Sequence, residues 1–203
     1  GIPIPCGAAV SSGREAADQA WNLGGVAVIK AQVHAGGRGK AGLVRLVGSP
    51  AEAEQAAREI IGQTYRGEVV SRVLVEEKLN VEREFYLSVT MDWRKGRPVV
   101  LASSQGGADI EELAKKGKGM VMQSLDNLEL PYYKAVEILT DAGLKNKTLT
   151  GAAHILTQMV RLFREAEALT VEINPMVLTV DGGLIAADAK VTLDDEALER
   201  HPA

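Results

Sequence analysis

"KAQVHAGGRGKAG", residues 30–42, sets four glycines and three lysine or arginine side chains into thirteen positions. The apolar run Val26-Ala27-Val28-Ile29 precedes it and Leu43-Val44-Arg45-Leu46-Val47 follows, two β-branched stretches that read as antiparallel strands. Glycine admits positive φ and leaves no Cβ between backbone N–H groups and a ligand. A loop built on Gly36, Gly37, Gly39 and Gly42 can therefore turn its amides onto an anion. Arg38 and Lys40 add charge, the guanidinium as a planar fork, and Lys30 on the entering strand can face the same anion. The pattern is not GxxxxGK[ST], and it is not GxGxxG opening a helix, because a strand follows. It fits a mobile hairpin loop over the phosphates of a nucleotide. The competing reading is a flexible hairpin with solvated basic residues. His34, without His or Cys companions, reads as a solvated or hydrogen-bonded loop histidine rather than a phosphoryl acceptor or metal ligand.

Outward from the loop, Ser12-Gly13-Arg14-Glu15 and Ser49-Pro50-Ala51-Glu52 match the capping box, with Pro50 suited to a first helical position. They predict helices over about 12–23 and 50–61, and an αββα order for this part of the chain. Strands follow at 72–79, 84–92 and 98–104, the last after the turn DWRKGR. DIEELAKKG, after Gly106-Gly107, reads as a short helix. Pro131 opens a helix ending near Gly143, and apolar spacing (Ile155, Met159, Leu162, Phe163) makes 148–168 helical. LTVEINPMVLTV and LIAADAKV, joined at Asp181-Gly182-Gly183, form a hairpin. The segment 194–203 reads as a charged, peripheral tail, and a lobe boundary falls at Leu79–Val81.

The 203 residues are 46% hydrophobic and 25% charged, with a net charge of −4 and one cysteine. That length suits one sizeable core or two small lobes. One cysteine excludes an intramolecular disulfide and a cysteine-rich zinc site. No apolar run reaches the roughly 20 residues of a membrane span. The negative charge and 4% aromatic content argue against a nucleic-acid-binding surface.

In the last hairpin, period-2 alternation sends Glu172 and Asn174 to one face and Val171 and Ile173 to the other. An odd-numbered turn with Gly182 in the left-handed region pairs Asn174 with Asp188, on the side of Glu172 and Lys190, unless a bulge shifts the register. A carboxylate and an amide oxygen on adjacent strands make a partial shell for Mg²⁺, which takes hard oxygen ligands and keeps water and phosphates for the rest. A half-polar, solvated hairpin is the competing reading. Glu76 and Glu77 end one strand and Glu84 begins the next, where carboxylates reach base or ribose groups or simply face water. Gly106-Gly107 before a helix offers a second anion site or a plain turn and cap.

In order along the chain, VAVIKAQVHAGGRGKAG, VEEKLNVEREFYLSV, SSQGGADIEELA and VEINPMVLTVDGGLIAADAK resemble the ATP-grasp part of the succinate–CoA ligase (succinyl-CoA synthetase) β subunit, from Gly1 to about Asp194. The resemblance implies an α+β ATP-grasp fold of two α/β lobes with the nucleotide between them: 1–79 with the phosphate loop, 80–193 with the metal site, and the tail. It implies that Lys30, Gly37, Arg38 and Gly39 contact phosphates. Glu76, the backbone around Leu79, and Glu84 would hold base and ribose. Asn174 and Asp188 would bind Mg²⁺. Glu172 would stabilise a phosphohistidine delivered by an α subunit, with Arg38 near the transferred phosphoryl group. The implied reaction is Mg-dependent, reversible phosphoryl transfer between ATP/ADP or GTP/GDP and that histidine, coupled to acyl-CoA formation. Malate–CoA ligase and ATP-citrate lyase share the pattern, and a non-catalytic nucleotide-binding regulatory module is the alternative of another class. The family's β chain has a helix before GIPIP and a CoA-ligase domain after the region matched, so the chain reads as the ATP-grasp part, inactive alone. The implied partners are nucleotide and α subunit, with no nucleic acid or membrane, in a bacterial cytoplasm rather than a mitochondrial matrix.

Overall fold

A computed structural model describes residues 1–107, 110 and 119–201. The helix expected over DIEELAKKG lies outside the described residues, apart from Ile110. Two compact units divide the chain, Pro5–Leu79 and Gly1–Ile4 with Asn80–Ala203.

The first unit runs β1 (Gly7–Val10), α1 (Gly13–Asn22), β2 (Ala27–Ala31), β3 (Val44–Val47), α2 (Pro50–Ile60), β4 (Thr64–Tyr65), β5 (Glu68–Val69) and β6 (Val73–Glu77). Four strands form one sheet in the order β1-β6-β2-β3, and β4–β5 is a separate hairpin. Both capping boxes form. The Ser12 hydroxyl accepts from Glu15 N at 3.3 Å and the Ser49 hydroxyl from Glu52 N at 3.3 Å. Each glutamate reaches back one residue beyond the cap, to the Ser11 and Gly48 amides. A Cβ on Gly13 would stand 2.8 Å from the Glu54 carbonyl oxygen, so α1 and α2 pack at close range. Small buried residues on each helix (Ala16 and Ala20; Ala53, Ala56 and Ala57) permit that approach and meet Ile29, Val73 and Val75 of the sheet. β2 and β3 are antiparallel, as the sequence predicts, with Lys30 opposite Val44.

The second unit holds β7 (Val81–Asp92), β8 (Arg97–Ser103), β9 (Val121–Ser124), α3 (Tyr132–Asp141), α4 (Asn146–Glu165), β10 (Ala168–Thr179), β11 (Leu184–Ala186), β12 (Ala189–Leu193) and a 3₁₀ turn (Asp195–Arg200). The sheet order is β11-β10-β7-β8-β9, with β12 also paired to β10. Phe85, Leu87 and Val89 of β7, with Val171 and Ile173 of β10, form one core with Leu156, Met159 and Phe163 of α4. Strand alternation leaves Glu84, Tyr86, Ser88 and Thr90 on the opposite, polar face.

Several expectations shift. β7 begins at Val81 rather than Glu84, so Glu84 lies within the strand. α4 stops at Glu165; Glu167 takes φ +47° and Ala168, read as helical, opens β10 as a core residue. Gly1–Ile4 packs with the second unit, where Ala186 N donates to the Pro3 carbonyl at 2.9 Å. In the tail, Ala197 is buried and Arg200 donates to Glu167 through two hydrogen bonds of 2.8 and 2.9 Å. β1, β4, β5 and β9 add four strands the sequence did not announce.

Candidate functional site

The glycine loop closes as a short, hydrogen-bonded turn. Leu43 N donates to the Arg38 carbonyl at 3.0 Å and Gly42 N to the Gly39 carbonyl at 3.2 Å. Gly37 and Gly42 take φ of +81° and +72°, values that glycine accepts without strain. Gly36 and Gly39 have no atom within 4 Å of where a Cβ would stand, so the loop's backbone presents an open face. The Arg38 guanidinium folds back and donates to the Ala31 carbonyl at 2.9 Å, beside Lys30. On the strand that leads into the loop, Lys30 Nζ meets Glu76 Oε2 at 2.5 Å, and both side chains are largely buried. They lie diagonally across the β2–β6 pair, where Val28 faces Glu76 and Lys30 faces Leu74. Glu76 Oε2 is buried, and its partner is the Lys30 ammonium. Lys30, Gly37, Arg38, Gly39 and Glu76 thus converge on one side of the first unit. Leu79 lies beyond the end of β6 and is half-buried.

In the second unit the last hairpin has the expected odd-numbered turn. Val180-Asp181-Gly182 connects the strands, Gly182 has φ +87°, and Thr179 N donates to the Gly183 carbonyl at 2.9 Å. Glu172 faces Lys190 and Asn174 N donates to the Asp188 carbonyl at 2.9 Å, as the sequence predicted. The bulge arises on the other side. Against β7 the register slips between Ile173 (opposite Leu87) and Met176 (opposite Phe85), so Asn174 and Pro175 together oppose Tyr86. The Asn174–Pro175 peptide is cis. This irregularity brings Asn174 Oδ1 to the Gly107 amide at 2.8 Å. A Cβ on Gly107 would stand 2.6 Å from a Glu84 carboxylate oxygen, so Glu84, Gly107 and Asn174 form one group.

Tyr86 is a member of this site that the sequence reading missed. Its hydroxyl donates to Glu172 Oε2 at 2.9 Å, and Ser88 stands opposite Glu172 on the same face. Burial, and then the negative charge of Glu172, push the phenol above its ordinary value of 10, which keeps it a donor. EFYLSV reads as an ordinary strand, and only its pairing with EIN identifies the tyrosine. His34 is hydrogen-bonded, not metal-like: its amide and Nδ1 meet Glu68 at 2.8 and 3.0 Å. Among the described residues no group of three or more His, Cys, Asp or Glu side chains could hold a metal ion. No described helix is long and apolar enough to cross a membrane.

A glycine hairpin loop over a β-sheet, followed by an α+β unit with an acidic and amide-bearing strand face, defines a class, and the chain belongs to the family of the ATP-grasp domain, whose model matches residues 1–178. More particularly, it is similar to proteins called succinate–CoA ligase subunit beta. The ADP-forming one of Persephonella marina is 41% identical over 100% of this chain and 55% of that protein. The GDP-forming one of Thermus thermophilus is 40% identical over 100% of this chain and 54% of that protein. The chain spans about half the length of the curated relatives it matches. Among solved structures, a dinucleotide-forming acetyl-coenzyme A synthetase of Ca. Korarchaeum cryptofilum aligns with a TM-score of 0.74 at 21% identity, over 95% of this chain and 87% of that one. ATP citrate lyase of Methanothrix soehngenii aligns with a TM-score of 0.66 at 23% identity, over 90% and 42%. These likenesses support the ATP-grasp fold.

Proposed function

We propose that this chain is the nucleotide-binding part of an acid–CoA ligase, most specifically a succinate–CoA ligase β subunit. It takes part in reversible phosphoryl transfer between ATP/ADP or GTP/GDP and a histidine of an α subunit. The observation that carries this reading is the open glycine turn that follows Lys30 and carries Arg38, in a chain about 40% identical to such subunits. Gly37, Arg38 and Gly39 hold the phosphates, and Lys30 lies beneath them. Glu76, Leu79 and Glu84 serve base and ribose. In the forward direction the bond from the γ-phosphorus to its bridging oxygen breaks, a P–N bond to the histidine forms, and the nucleoside diphosphate (ADP or GDP) leaves. The phosphoryl group then activates a carboxylate, and coenzyme A thiol displaces it as inorganic phosphate. Arg38 neutralises charge on the moving phosphoryl group, and Glu172, held by Tyr86, faces the phosphohistidine.

Magnesium fits Asn174 and Asp188 in donor chemistry. Both offer hard oxygens, and Asn174 Oδ1 keeps a second lone pair beyond the one that accepts from Gly107. When bound, the ion neutralises phosphate charge. The test mixes the chain with the α subunit and ATP labelled at the γ-phosphate. The expected result is an acid-labile label on the α subunit that requires Mg²⁺ and is lost in Glu172→Gln. Nucleotide binding with no label under any condition would favour the regulatory-module reading instead.

A further inference from the structure

The β4–β5 hairpin, which no sequence signal singled out, holds the glycine loop. Its reversal, Tyr65-Arg66-Gly67-Glu68, has positive φ at both central residues, +51° and +88°, the two-residue turn whose twist matches its strands. From it, side chains reach both ends of the segment His34–Gly37. The Tyr65 hydroxyl donates to the Gly36 carbonyl at 3.0 Å. Glu68 accepts from His34 N at 2.8 Å and lies 3.0 Å from His34 Nδ1. The Arg66 guanidinium stacks over the Tyr65 ring at 5.4 Å. One of its nitrogens lies 3.6 Å from where a Cβ on Gly37 would stand, and Tyr65 Oη lies 3.2 Å from the same point. Arg66 is exposed, and among the described residues no carboxylate partners it.

We infer that this hairpin belongs to the phosphate site: Tyr65 and Glu68 position the glycine loop, and Arg66 supplies a further cation to the phosphates of a bound nucleoside triphosphate. The inference rests on reading the glycine loop as phosphate-binding. A free loop this rich in glycine would lose much conformational freedom when it closes on a ligand. Hydrogen bonds at His34 and Gly36 remove part of that loss beforehand, so more of the interaction energy appears as affinity. Arg66 is suited to the task because stacking on Tyr65 limits its rotamers while its fork stays in solvent beside Gly37, a residue without a side chain to block it. A solvated arginine on a turn would have no need of such placement, and a hairpin of purely structural purpose would have no need to bind the loop at two points.

The test titrates the 203-residue chain with ATP and, separately, with inorganic tripolyphosphate, in the wild type and in Arg66→Gln, Arg66→Lys and Tyr65→Phe. Thermal unfolding and hydrogen exchange over residues 34–42 are measured in parallel. Loss of a charge-assisted contact predicts that Arg66→Gln weakens ATP and tripolyphosphate together by about tenfold, with Arg66→Lys recovering part and the thermal midpoint unchanged. Tyr65→Phe should weaken both ligands by about threefold and speed exchange of the loop amides in the free chain but not in the ATP-bound chain. Unchanged affinities in a wild type that binds ATP would overturn the inference and leave the loop's role standing. A wild type that binds neither ligand would overturn both.

Discussion

Gly106 shows how a single residue can be fixed by backbone contact alone. A Cβ there would stand 2.4 Å from the Phe85 carbonyl oxygen and 2.9 Å from the Phe85 nitrogen, atoms that cannot swing aside. Gly106→Ala should therefore cost about 2–4 kcal/mol in urea unfolding, while Gly39→Ala, in open space, should leave stability within about 0.5 kcal/mol. The two glycines look alike in sequence, since both sit in polar, glycine-rich stretches, and only the neighbouring strand separates them. Lys30 and Glu76 are tied in the same way. Removing one partner of a largely buried pair leaves the other charge uncompensated. Lys30→Met alone should destabilise the chain by about 3 kcal/mol, and Lys30→Met with Glu76→Leu by much less than the sum of the two single changes. Additive losses would mean that the two charges do not depend on one another.

At the scale of elements, the chain announced what carries a local signature. Both capping boxes, the helix after Pro131, the glycine hairpin and the odd-numbered turn at Val180–Gly182 follow from residues a few positions apart. The strands left unread are short: β4 and β5 have two residues each, and β1 and β9 four, too few for alternation to appear. Tyr86 was missed because its partner lies on another strand 86 positions away. The bulge at Asn174–Pro175 was missed because it arises against β7, not within the hairpin. One element carries a pH signature. The Ser11 amide hydrogen bond, ahead of those from the Ser11 and Ser12 hydroxyls, lowers the Glu15 carboxyl below its ordinary 4.5. A carboxylate lowered by folding adds stability that is fully present above its unfolded value and fades as pH falls through the lower folded value. Urea midpoints measured from pH 6 to pH 3 should thus decline less steeply in Glu15→Gln than in the wild type. An identical slope would mean that the cap gains nothing from the charge.

At the scale of the whole molecule, each unit has its own core, one around Ile29, Val73 and Val75 and the other around Leu87, Leu156 and Met159. Ile29→Ala and Leu87→Ala should each cost about 3 kcal/mol, with amide protection falling mainly in the unit that carries the change. Loss spread evenly over both units would show a single cooperative core. The ATP-grasp assignment was legible because its motifs are spread along the chain in order, whereas the contacts that position them had to come from the structure. Calorimetric titration with ATP in Mg²⁺ and in EDTA, on the wild type, Arg38→Gln and Asp188→Ala, reads the phosphate and metal sites most directly. Binding should depend on Mg²⁺ and weaken about tenfold or more in each variant. A folded chain that fails to bind ATP, or binds it equally well in EDTA and in both variants, would contradict the nucleotide-binding reading.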